Sequence, residues 1–143
     1  AGGKRMAKGG AVSLLSAVAD RVLGARVPDA ELPHPVPPGV VVRRNRLIPA
    51  IGGMFMGGSR RPAAAVTLGR TILWNAGALL TDELIVHELV HVEQWRDDPL
   101  FALKYGAAWL RHGYRENPFE RDAYARQREY AARKPESAPP RRL

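Results

Sequence analysis

The chain has 143 residues, no cysteine and a net charge of +8. That length suits one domain with a core of useful size, and the lack of cysteine excludes disulfides and thiolate metal sites. No apolar run reaches the roughly 18 residues that a membrane-spanning helix needs, so the composition, 45% hydrophobic, is that of a globular protein.

In chain order, residues 11–24 read as an amphipathic helix. Lys4, Arg5 and Lys8 ahead of it give a leader-like start, but Asp20 and Arg21 interrupt the apolar run too soon for a signal peptide. Residues 27–39, VPDAELPHPVPPG, carry five prolines and form an extended arm. VVVRRNRLIP (40–49) has the β-branched character of a strand that stops before Pro49. AIGGMFMGGSRRP (50–62) is a glycine-rich turn or loop around Met54, Phe55 and Met56. AAAVTLGRTILWN (63–75) reads as a strand or hairpin with a bend at Gly69.

A helix over 82–96 follows, capped by Thr81 or Asp82, with Asp82 and Glu83 at the positive end of its dipole. A second helix spans 101–114 and ends near Gly113. A last helix spans 116–134, with Asn117 as cap and Pro118 at its first position. The expected class is α+β: a small antiparallel sheet packed on the 82–96 helix, then two C-terminal helices. The expected division is an N-terminal helix and proline-rich arm (1–39), a compact domain (40–134) and a disordered tail (135–143).

Charge is unevenly spread. Residues 1–80 carry 11 basic and 3 acidic groups, 81–98 carry one basic and six acidic groups, and 99–143 carry 10 basic and 5 acidic groups. A local negative cluster inside a positive exterior suits a cation site and attracts anionic partners.

The acidic stretch holds IVHELVHVEQW (85–95). His87 and His91 are four apart, on one helical face, with Cβ atoms about 5–6 Å apart, close enough for both imidazoles to bind one zinc ion. Glu88 lies roughly a quarter-turn away, where it suits a general base for a metal-activated water better than a ligand. Apolar Ile85, Val86, Leu89, Val90 and Val92 flank the motif and bury it.

A catalytic zinc needs a third protein ligand. Asp97, His112, Glu116, Glu120 and Asp122 are the downstream candidates. Asp97 stands where a longer HExxHxxGxxH pattern has its third ligand, but Gln94 replaces the glycine that pattern requires. Glu93 lies on the wrong helical face. Glu120 is three after Asn117, which is also capping-box spacing, and periodicity does not separate the two roles. Tyr105, His112, Tyr114 and Tyr124 are the groups that could stabilise an oxyanion.

HELVHVEQW followed by GYRENPFERDAYA resembles the gluzincin metallopeptidases, and in particular small bacterial HExxH domains with a downstream NPxExDA helix. The likeness covers roughly residues 63–130. It implies that His87, His91 and Glu120 hold one zinc ion, that Glu88 is the general base, and that Asp122 orients a ligand histidine. Tyr124 departs from it, standing four after Glu120 where an aspartate is often seen. The likeness further implies an edge strand, VTLGRTILW, that receives an extended peptide or protein substrate. The expectation is a zinc metallopeptidase. Its rivals are a non-catalytic metal-bound scaffold and a nucleic-acid-docking protein using Arg43, Arg44, Arg46, Arg60, Arg61 and the C-terminal arginines. A cytoplasmic location is the default, and a trimmed leader would make it secreted or periplasmic.

Overall fold

The computed structural model describes residues 8–49 and 63–135. The expected 50–62 loop, Arg60, Arg61 and residues 136–143 of the expected tail lie outside the described residues. The chain is α+β, but its sheet is mixed and not antiparallel as the pattern implied.

Helix α1 (Lys8–Leu23) ends at Gly24, whose φ is +88°. A Cβ there would sit 1.7 Å from the Arg44 carbonyl oxygen, so only glycine allows the approach. The chain then runs along strand β1 (Val41–Arg44), bonded through Val27 N to Val42 O and Arg44 N to Ala25 O, both 2.8 Å. This segment covers the outer margin of β1. The proline-rich arm, with a 3₁₀ turn at Asp29–Glu31, stays against the body. Val27 is buried in the core and Leu32 and Val36 pack against it. His34 meets the Tyr130 ring edge-on at 5.4 Å.

Asn45 stops β1, because its side chain accepts from Ile48 N (2.9 Å) and donates to the Leu23 carbonyl (3.1 Å). Strands β2 (Ala65–Leu68) and β3 (Thr71–Trp74) form a hairpin, with Gly69 (φ +61°) in its two-residue turn. The sheet order is β1-β3-β2, with β1 parallel to β3 and β2 antiparallel to it. The long connection between β1 and β2 brings the chain back so that β3 runs alongside β1, an arrangement that residue patterning does not encode.

Helix α2 (Asp82–Asp97) packs beneath the sheet, mainly against β2. Thr81 is its cap, with Oγ1 accepting from Leu84 N at 3.1 Å. Ile72 and Ile85 have no exposed surface and mark the core between sheet and helix, while Leu73 is buried on the sheet's other face. Helix α3 (Phe101–His112) buries only Phe101, while α4 (Pro118–Arg133) lies along α2 in the closest helix pairing. Ala123, fully buried at that crossing, allows it.

Candidate metal centre

The α2–α4 crossing assembles the site. Both histidines and Glu88 are buried on α2. On α4, Asn117 is fully buried and caps the helix, accepting from Phe119 N at 3.1 Å and donating to Tyr105 O at 3.4 Å. Its own N–H donates to Tyr114 O, so Glu120 does not close a capping box. Glu120 turns inward instead. Its Oε2 stands 3.3 Å from His87 Nε2 and its Oε1 stands 3.3 Å from His91 Nε2.

Ligands at about 2.0–2.1 Å from a tetrahedral zinc stand about 3.3–3.4 Å apart. Both His–Glu separations match that edge, and one donor atom from each of the three residues lies within 4.8 Å of the other two. Glu120 Oε2 is also a buried acceptor with no hydrogen-bond donor. Buried polar atoms are seldom left so, and a cation held by the three residues would supply a partner. The buried His87, His91 and Glu120 group can hold a metal ion. The other ligand candidates are elsewhere. Asp97 is exposed and paired with Arg96 (2.7 Å), Glu116 faces Arg121 (3.7 Å) and His112 is exposed at the cleft rim.

The groups behind the ligands are amides. Gln127 Oε1 is 3.1 Å from His87 Nδ1, and Gln94 Oε1 is 2.8 Å from His91 Nδ1. Gln94 Nε2 donates to Phe119 O and Asp122 Oδ2, both 3.2 Å. With its NH₂ end facing two acceptors, the amide must present oxygen to His91. His91 therefore carries its proton on Nδ1 and turns Nε2 toward Glu120. Asp122, inferred to orient a ligand histidine, meets Gln94, which in turn meets His91.

Burial works against charge on Glu120, yet His87, His91 and the Tyr105 hydroxyl (2.6 Å) hold its carboxyl well below the usual range. Burial likewise opposes charge on His91, but the Glu120 and Glu88 carboxylates push it up to about 9. Tyr105 is raised by burial and by Glu120, and Tyr114 by burial first and then by Glu120 and Tyr124.

Glu88 stands beside the ligands, with Oε2 accepting from Thr67 Oγ1 at 2.6 Å. Thr67 belongs to β2, whose carbonyl there accepts from Trp95 Nε1 (3.2 Å). The site opens into a cleft of about 1140 Å³ between β2, α2, α3 and the start of α4. Tyr124 stacks edge-on against His87 at 4.5 Å, and its hydroxyl is 3.1 Å from that of Tyr114. Tyr105 is committed to Glu120, leaving Tyr114, Tyr124 and His112 as the remaining cleft-lining donors of the four named from sequence. No residue of the proline-rich arm lines the cleft.

Thr67, Gln94 and Gln127 were absent from the sequence-based candidates. Gln94 had a signal, since it is three after His91 on the same helical face. Gln127, seven after Glu120, shares that ligand's face of α4. Thr67 had none, because tertiary packing alone brings β2 to Glu88.

Of the arginines expected to form a nucleic-acid surface, two are engaged within the fold and Arg46 is exposed. Arg43 bonds Asp20 (2.5 Å) and the Gly24 carbonyl (2.8 Å), while Arg44 lies over Trp74 and 3.7 Å from Glu31. No helix among the described residues is long and apolar enough to cross a membrane. No family model, curated protein or solved structure matches the chain.

Proposed function

We propose that the protein is a zinc-dependent peptidase. The observation that carries the reading is the buried His87–His91–Glu120 cluster facing an open cleft, with the Glu88 carboxylate beside it. Structural zinc sites are closed by four protein ligands, whereas catalytic ones keep a position open. Three donors at a cleft wall fit the second kind, which favours an enzyme over a scaffold. A His₂Glu donor set suits zinc among the divalent ions.

His87, His91 and Glu120 would hold the ion, which when bound supplies Lewis acidity to a carbonyl and lowers the pKa of water. Glu88 then takes a proton from the attacking water and returns one to the leaving amine. Thr67 holds Glu88 Oε2, and Oε1 has no hydrogen bond among the described residues. Tyr114 and Tyr124 offer hydroxyl donors to the developing oxyanion from the cleft wall.

The margin of β2 that no strand pairs among the described residues supports a peptide substrate. Asn75 N donates to Ala64 O (2.9 Å), so in the observed register Val66–Leu73 and Leu68–Thr71 exchange the next backbone bonds. Ala65 and Thr67 turn their backbone groups outward; the Thr67 carbonyl already accepts from Trp95 Nε1, so an extended chain would pair through Ala65 and the Thr67 N–H, next to Glu88.

The test is Glu88→Gln. It should keep zinc while hydrolysis of a quenched-fluorescence peptide library falls by about 10²–10⁴. His87→Ala should lose both zinc and activity. Wild-type turnover by the glutamine variant would overturn the general-base role.

A further inference from the structure

Helix α3 has two faces of different character. Phe101, Tyr105, Trp109 and His112 line the cleft. On the opposite side, Leu100, Leu103, Ala107 and Leu110 recur at spacings of three and four and form one stripe. The three leucines are 55%, 73% and 79% exposed. A helix of this length is marginal alone in water, yet α3 buries only Phe101 fully. An exposed apolar stripe of this kind marks an interaction surface.

The charges say what covers it. Lys104 and Arg111, seven apart, run along one margin of the stripe, and Arg115 follows the helix. From 99 to 115 the chain has no acidic residue. Lys104 pairs with Asp98 (2.5 Å), whereas Arg111 and Arg115 are exposed and carry no ion pair among the described residues. A second copy docking by the same stripe would bring cation against cation, with no carboxylate on the helix to answer them. Nucleic acid would match the arginines and leave the leucines in water. A surface that is both anionic and apolar matches both.

We propose that this face of α3 seats the protein on an anionic lipid bilayer. The leucines lie in the boundary between headgroups and acyl chains, and Arg111, with Lys104 on the same margin, lies at the lipid phosphates, while Arg115 lines the cleft. The cleft, on the other side of the same helix, would then work close to the membrane surface. The inference rests on the stripe and its charges and holds whether or not the cleft cleaves peptides.

The experiment is flotation of the zinc-loaded full chain with vesicles of phosphatidylcholine alone, or containing about 30% phosphatidylglycerol. The protein should float with the anionic vesicles, stay behind with the neutral ones, and be released by roughly 0.5 M salt. Leu103→Glu/Leu110→Glu should weaken binding at least about tenfold while circular dichroism and zinc content stay unchanged. Arg111→Glu should weaken it several-fold, and Arg133→Glu, at the far end of α4, should not. Four outcomes would overturn the proposal: no flotation of the wild type, equal flotation of the double leucine variant, equal losses for Arg111→Glu and Arg133→Glu, or a dimer that Leu103→Glu dissolves. Loss of binding in Leu15→Glu/Val18→Glu but not in Leu103→Glu/Leu110→Glu would assign docking to the exposed face of α1, and would overturn it too.

Discussion

Replacing Gln94 with leucine tests the amide that orients His91. The side chain makes three bonds: Oε1 to His91 Nδ1 at 2.8 Å, and Nε2 to Phe119 O and Asp122 Oδ2 at 3.2 Å each. Leucine keeps much of the volume and none of the bonds. His91 then loses the acceptor that fixes its tautomer and ring angle. Groups in this position typically contribute 10–100-fold to metal affinity, which is about 1.4–2.8 kcal/mol. Asp122→Ala should cost much less, about threefold, because it removes one of two acceptors that hold the amide and Asp122 is exposed. Zinc affinity would be read by competition with a chromophoric chelator, with circular dichroism reporting the fold. Two results would refute the relay: wild-type affinity in Gln94→Leu, or a larger loss in Asp122→Ala than in Gln94→Leu.

Glu120→Ala should abolish stoichiometric zinc in elemental analysis, and retained metal would return this residue to a structural role. Thr67→Val should lower stability by about 1.5–3 kcal/mol in urea titration, since it strips a buried carboxylate of its hydroxyl donor, and an unchanged midpoint would count against that bond. Ala123→Leu should cost roughly 1–3 kcal/mol by overpacking the α2–α4 crossing and should weaken zinc binding with it, as Glu120 is carried away from the histidines. The metal-free chain should also respond to pH. His91 is raised from 6.5 to about 9 in the fold, so its contribution is complete below about pH 6.5 and is lost as pH rises through about 9. Glu120 is lowered, so its contribution is present above its ordinary range and is lost on acidification through and below that range. Chelator-treated protein should therefore have a lower urea midpoint at about pH 9.5 than at about pH 6. Zinc should erase the alkaline loss, because a ligating histidine has already given up its Nε2 proton.

Much of this arrangement was legible in the residues. Thr81 and Asn117 cap the helices they were expected to cap, and Pro118 opens α4. Local signals of that kind act within one turn, so the sequence carries them directly. The HExxH spacing likewise fixes which face of α2 holds both imidazoles. Glu120 was ambiguous because its offset from Asn117 also suits a capping box, and the crossing of two helices turned it toward the histidines. The parallel pairing of β1 with β3 was not legible, since strand direction depends on the path of the intervening chain and not on strand composition. Thr67 and Gln127 were invisible for a similar reason: each meets its partner across a gap of 21 or 40 residues. The link from Asp122 to His91 through Gln94 was not legible either, since it joins two helices.

The close approach at Gly24 has a consequence for how this sheet behaves in company. Among the described residues, one border is sealed by the chain's own backbone, which leaves the opposite border for a foreign strand. Stacking into ribbons requires every subunit to offer two open borders, one for the molecule before and one for the molecule after. Among the described residues this sheet offers one at most, so it cannot grow into a fibre by that contact.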